Sequence, residues 1–160
     1  MSRTCPLTAY EWNGDNYEAS IEVISYDSYG NPTEIVDLKT GNKENGIHSV
    51  FVWDTYGRYL IALIKNAELS QVQGVTSQLS SGTSQSRYNA LKSLLPNAQI
   101  QTWAYKPLIG VSSHTDINGQ TLLYEYDGLG RLKTVKRVVN GCTTPEIINE
   151  YEYNYKNTSL

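Results

Sequence analysis

Apolar and polar side chains alternate on both sides of a short glycine-rich turn in the C-terminal third of the chain. Tyr124 and Tyr126 alternate with charged residues before the turn, and Leu132 does so after it. A period of two is typical of a β-strand that buries one face. The pattern therefore predicts an antiparallel hairpin with the loop Gly128–Gly130, apolar partners on one face and opposite charges on the other.

Two residues, Asp127 and Gly130, are suited to this turn. An aspartate at the first turn position accepts hydrogen bonds from the turn's own amide groups. A glycine at the fourth position adopts the left-handed conformation that lets the second strand pair back. The predicted cross-strand pairs are Asp127–Arg131, Tyr126–Leu132, Glu125–Lys133 and Tyr124–Thr134.

The same turn occurs twice more upstream, at Asp27–Gly30 and at Asp54–Gly57, where Arg58 follows the glycine. Several glycines also repeat at a spacing of 11 residues, in the sets Gly119, Gly130 and Gly141, Gly30 and Gly41, and Gly46 and Gly57. Eleven residues accommodate one strand and a short turn. A fixed period of this kind predicts an antiparallel β-meander built from repeated hairpins.

The second hairpin, Ile47–Ile64, differs because both of its faces are apolar, and such a strand pair has to be covered on both faces. The following segment predicts the cover. Apolar residues at helical spacing predict one helix over Asn66–Leu79, capped by Asn66, and a second over Ser84–Leu95, which ends before Pro96. We expect the side chains that pack on Val50, Val52, Leu60 or Ile64 to be Leu69, Val72, Leu91 and Leu95.

These elements predict a mainly β fold, an antiparallel β-meander with an inserted helical hairpin, as one domain over residues 1–160. The hairpins cover residues 19–64 and 98–156, and the helical insertion covers residues 66–96. The last strand is predicted over Ile147–Tyr155, with Tyr151, Tyr153 and Tyr155 on one face.

Composition narrows the class of protein. Thirteen tyrosines against one phenylalanine suit half-buried sheets, and a net charge of −3 argues against nucleic-acid binding. No apolar stretch reaches membrane-spanning length, and no signal peptide is predicted at the first residues. Two cysteines, Cys5 and Cys142, match no metal spacing and can pair only where the chain ends meet.

The candidates for chemistry are few. His48 lies inside the apolar hairpin, and His114 lies on a strand where the adjacent Ser113 points to the opposite face. The segment Asp116–Gly119 resembles a shortened calcium loop but lacks further ligands, so a hairpin turn is the favoured interpretation. The sequence predicts no enzyme, no metal and no cofactor.

The motif aromatic-Asp-x-x-Gly-Arg/Asn, followed by a strand and a second glycine turn, resembles the YD repeat of the RHS (rearrangement hotspot) proteins. The resemblance is best over Thr115–Lys156 and good over Ser25–Gly41 and Trp53–Ala62. It implies YD-type hairpins in a non-enzymatic scaffold segment of a large bacterial secreted or cell-surface protein. It also implies that the partners are neighbouring repeats or, in the isolated chain, a second copy.

A second interpretation is that the chain is a carbohydrate- or protein-binding module, because exposed aromatic rings can stack on sugars. The candidate binding residues are Trp12, Trp103, Tyr151, Tyr153 and Tyr155. The turn residues Asp27, Gly30, Asp54, Gly57, Arg58, Asp127, Gly130 and Arg131 have structural roles under either interpretation.

Overall fold

A computed structural model describes residues 7–138 and 144–153, and within them ten antiparallel strands form a single sheet in chain order. This confirms the predicted mainly β meander. The strands are β1 (Thr8–Trp12), β2 (Tyr17–Tyr26), β3 (Pro32–Asp37), β4 (Ile47–Trp53), β5 (Leu60–Lys65), β6 (Gln99–Lys106), β7 (Gly110–Thr115), β8 (Thr121–Tyr126), β9 (Leu132–Arg137) and β10 (Glu146–Glu150).

Three helices, α1 (Leu69–Val72), α2 (Thr76–Leu79) and α3 (Ser84–Leu94), form the insertion between β5 and β6. The single helix predicted over Asn66–Leu79 is wrong, because it is broken around Gly74, a poor helix former. Asn66 is not its cap: Glu68 occupies that position, and Asn66 has a φ of 62° and donates its N–H to the carbonyl oxygen of His48.

The main apolar core lies between the helices and one face of the sheet. Val72 and Leu91 are fully buried there, whereas Leu69 and Leu95 are half-buried against the same cluster. The sheet contributes Val50, Val52, Ile61, Ala62, Ile64 and Ile100. The predicted helical cover is therefore confirmed, although α3 packs chiefly on β6 and β7 rather than on the second hairpin.

The opposite face of the sheet is less well covered. Phe51 pairs with Leu63 on that face, and both side chains are half-buried. All three helices contribute to the cluster on the Val50 face. The described residues therefore supply a helical cover for one face of the second hairpin and not the second cover expected from its sequence.

A buried hydroxyl network fixes the start of α3 on the sheet. Thr102 donates its hydroxyl to the carbonyl oxygen of Ser84 at 2.7 Å, and Ser84 Oγ donates to Ser113 Oγ at 2.8 Å. Thr115 Oγ1 donates to Ser84 Oγ at 3.0 Å and shares a 2.7 Å hydrogen bond with Thr121. Because these groups satisfy one another, polar side chains on the inner face of β6–β8 can be buried.

Candidate interaction surface

The Asp127 turn has the hydrogen bonds that its sequence predicts. One carboxylate oxygen accepts the N–H groups of Leu129 at 2.8 Å and Arg131 at 3.0 Å, while the other accepts Arg131 Nε at 2.7 Å. The N–H and guanidinium of Arg131 lower the pKa of Asp127, because both stabilise the charged carboxylate. The turn is therefore stabilised by its own side chains.

Three other turns repeat this arrangement, starting at Asp27, Asp54 and Asp116. In each turn, the residue directly after the glycine donates its backbone N–H to one carboxylate oxygen of the aspartate. Burial alone would raise the pKa of Asp54, but the N–H groups of Tyr59 and Arg58 outweigh it and lower the pKa. The four glycines have left-handed φ angles, which confirms the turn prediction: Gly30 (89°), Gly57 (65°), Gly119 (79°) and Gly130 (76°).

A β-bulge follows each hairpin turn at one end of the sheet. After Tyr126 pairs with Leu132, Glu125 pairs with Thr134, so Lys133 is an extra residue on the returning strand. The predicted pairs Glu125–Lys133 and Tyr124–Thr134 are therefore wrong: Tyr124 pairs with Val135, and Lys136 binds Glu125 at 2.5 Å. The same extra residue follows the turn in the other hairpins of this end, at Thr33, Ile61 and Ser112.

Two neighbouring turns of this end contact each other. The Tyr29 ring lies against Gly57, and Asn31 Nδ2 donates to the carbonyl oxygen of Gly57 at 2.8 Å. A Cβ atom at Gly57 would lie 2.5 Å from the Tyr29 ring, whereas one at Gly130 would have Ile109 at 4.0 Å as its nearest neighbour. Gly57 is thus required both for its φ angle and for the contact between turns.

Replacing these two glycines separates the two requirements. Gly130→Ala is expected to lower the free energy of unfolding by roughly 1–2 kcal/mol, the cost of a left-handed non-glycine residue. Gly57→Ala should cost roughly 1–3 kcal/mol more, because the methyl group also displaces Tyr29. Urea unfolding monitored by circular dichroism measures both values. Tyr29→Ala should remove the excess cost of Gly57→Ala; an excess that persists would contradict the contact.

Trp12 is one of the predicted aromatic binding residues, and among the described tryptophans its side chain is the most exposed. Its exposed fraction is 58%, and its ring packs edge-to-face on Tyr17 at 5.1 Å between centroids. A cleft of about 250 Å³ adjoins it, lined by Glu11, Trp12, Asn13, Glu18, Ala19, Leu38 and Lys39. An exposed ring beside carboxylates and an amide is an arrangement that suits a hydroxyl-rich ligand.

Trp103 is placed differently. It is half-buried, and its ring stacks on His114 at 5.1 Å with an angle of 14° between the planes. Burial lowers the pKa of His114, against an opposing effect of Asp116. One face of the Trp103 ring is therefore occupied within the sheet, and the structure does not bring this residue together with Trp12.

The C-terminal tyrosines do not lie on one long strand, so the predicted strand over Ile147–Tyr155 is wrong. β10 ends at Glu150, although Tyr151 N–H still donates to the carbonyl oxygen of Lys133 on β9 at 2.8 Å. Tyr153 packs on the Arg131 guanidinium at 4.3 Å and donates its hydroxyl to Leu132. Tyr151 is half-exposed, and Tyr155 lies outside the described residues.

The other candidate groups form structural contacts. His48 Nδ1 lies 2.7 Å from Glu34, and its Nε2 lies 3.0 Å from the carbonyl oxygen of Lys43. Residues 7–138 and 144–153 contain no cluster of three metal-ligating side chains and no helix long and apolar enough to cross a membrane. Cys5 and Cys142 lie outside the described residues.

Comparison with known proteins identifies one segment. The family model described as RHS Repeat matches residues 110–141, which include β7, β8 and β9 and the turns at Asp116 and Asp127. This match confirms the resemblance seen in the sequence over its C-terminal part. No curated protein matches the chain.

Proposed function

Because the chain carries an RHS repeat, we propose that it is a non-enzymatic scaffold segment of a large secreted or cell-surface protein. The observation that carries this proposal is the strict chain order of the strands. Each strand from β2 to β9 pairs with the strands before and after it in sequence, so the sheet can continue beyond the edge strands β1 and β10 by the same rule. The role is to extend a wall of paired strands.

The turns support this role. Each strand pair at one end of the sheet has a tight turn and the same bulge, and two neighbouring turns touch through Tyr29 and Gly57. A segment with such repeated geometry can add further hairpins without a new type of contact. Neighbouring repeats are therefore the partners that this surface fits best.

The edges of the sheet give the proposal a physical test. β1 and β10 each have one neighbour among the described strands, and all five β10 residues are exposed. Unpaired strand edges are templates for another strand. We expect sedimentation velocity at several concentrations to show reversible self-association of the isolated chain, and a strict monomer at every concentration would contradict the scaffold role.

A second function, carbohydrate binding, is favoured by the exposed Trp12 ring beside its polar cleft. A glycan array probed with the labelled chain tests it. If this function is correct, Trp12→Ala should abolish the signal, whereas Tyr29→Ala, a matched exposed aromatic residue at the opposite end of the sheet, should preserve it. Absence of any glycan signal, or a signal that Trp12→Ala leaves unchanged, would contradict binding at this cleft.

A further inference from the structure

We propose that the outer edge of β1 binds β1 of a second copy of this chain, in an antiparallel pair related by a two-fold axis at Tyr10. The proposal rests on the scaffold role and goes further, because it names one edge and its partner. An isologous contact of this kind closes as a dimer and does not grow into a filament. Three observations on β1 and β10 support this choice.

The first observation is the direction of the β1 backbone groups. The carbonyl oxygen of Leu7 accepts Val23 N–H at 3.1 Å, and Asn13 N–H donates to Asn16 at 3.0 Å, so both residues point toward β2. Backbone groups alternate in direction along a strand. The intervening even-numbered residues, Thr8, Tyr10 and Trp12, therefore direct their N–H and C=O groups away from the sheet.

These outward groups match those of a second copy. With the axis at Tyr10, that residue pairs with its own copy, and Thr8 pairs with Trp12 of the partner chain. By symmetry Trp12 pairs with Thr8 of the partner chain, so there are three pairs that each exchange two hydrogen bonds, about six across the contact. The whole set of outward groups on β1 is then satisfied.

The second observation is the regularity of the two edges. β10 contains an extra residue, Ile148, between the pairs Ile147–Lys136 and Asn149–Val135. A bulge on an edge strand bends it and disrupts pairing with a further strand. In the β1–β2 pair the extra residue is Ser20, which belongs to the inner strand, and its hydroxyl donates to Ala9. β1 itself therefore remains regular.

The third observation is the set of side chains that self-pairing brings together. In the β1 pair, Tyr10 lies opposite Tyr10 of the second chain, Thr8 opposite its Trp12, and Ala9 opposite its Glu11. No like charges therefore lie opposite each other. Aromatic pairs stabilise antiparallel strands. If two copies of β10 paired in the same way about Ile148, Glu146 of each copy would lie opposite Glu150 of the other. Self-pairing through β10 is therefore disfavoured by charge as well as by shape.

The test compares the full chain with edge variants by sedimentation velocity. Tyr10→Pro removes an N–H that points away from β2 and occurs twice in the dimer, and an edge strand tolerates proline there. It should raise the dimer dissociation constant at least about tenfold. Tyr10→Lys, which keeps the N–H but adds charge, should do the same, while Ile147→Lys on β10 should leave the constant unchanged.

Cross-linking checks the position of the axis. In a background with both native cysteines replaced by serine, Tyr10→Cys should give a disulfide-linked dimer, because directly paired Cα atoms lie about 5.5 Å apart. Glu11→Cys, one residue away, should not.

The outcomes separate this assignment from the scaffold role. A chain that is monomeric at every concentration contradicts both proposals. A dimer or polymer that survives Tyr10→Pro and Tyr10→Lys, or that Ile147→Lys dissociates, contradicts only the assignment to β1. A cross-link through position 11 rather than 10 contradicts the proposed register.

Discussion

Leu91→Ala is expected to lower the free energy of unfolding by roughly 2–5 kcal/mol, the usual cost of truncating a buried leucine. Leu91 is fully buried in the cluster between α3 and the sheet. The lost methyl groups leave a cavity that the short helices cannot fill, because α1 and α2 are already packed on the same cluster through Val72 and Leu79. Urea unfolding at fixed protein concentration measures the change.

The control for this prediction lies on the same helix. Leu94 has an exposed fraction of 45%, so Leu94→Ala removes the same atoms with a much smaller loss of burial than Leu91→Ala. Its effect should remain below about 1 kcal/mol. Equal losses at the two positions would contradict the packing of α3 through its Leu91 face.

Arg87→Met is expected to destabilise the chain by roughly 2–5 kcal/mol, because it removes donors from buried carbonyl groups. Arg87 donates Nε to Leu79 at 2.5 Å and one terminal nitrogen to Trp103 at 2.5 Å, with a longer bond to Ser80. The side chain thus joins α2, α3 and β6. Methionine retains much of the volume but supplies no hydrogen bond, so the carbonyl oxygens remain unpaired.

Arg87 is only 7% exposed, and this burial lowers the pKa of its guanidinium. Arg58→Met is the matched control, since the Arg58 side chain is 59% exposed and its ion pair with Asp54 is on the surface. That change should cost about 0–1 kcal/mol. Thermal or urea unfolding of both variants measures the two losses in stability. An Arg87→Met protein as stable as the parent would show that the guanidinium is not needed to join α2, α3 and β6.

The features that sequence reasoning predicted correctly are local ones. The Asp127 turn depends on two residues four positions apart, whose hydrogen bonds are formed within the turn itself. Alternation around it predicted the strands and their order, because an antiparallel meander pairs consecutive strands. Helical spacing of Val72 and Leu91 predicted the cover on one face of the sheet.

The features that it missed depend on contacts between distant residues. In the sequence, Lys133 and Ile61 fit the two-residue alternation of a regular strand, yet each is the extra residue of a bulge. Arg87 reads as an ordinary polar helix residue, and Thr102 as a polar strand residue, because their partners lie 8 to 18 positions away. Among the candidate aromatic residues, exposure separates Trp12 from Trp103, and exposure is a property of the packed sheet.

The bulged turns have a consequence for how this architecture can vary. In a meander, alternate connections lie at opposite rims of the sheet, and one rim here carries four tight turns: Asp27–Gly30, Asp54–Gly57, Lys106–Ile109 and Asp127–Gly130. The other rim carries connections of very different length, including the helical insertion between β5 and β6. Two strand spacings separate successive turns, about 10 Å. The molecule thus has a constant rim, which sets the pitch of the hairpins, and a variable rim, where an insertion as long as α1–α3 leaves the order of the strands unchanged.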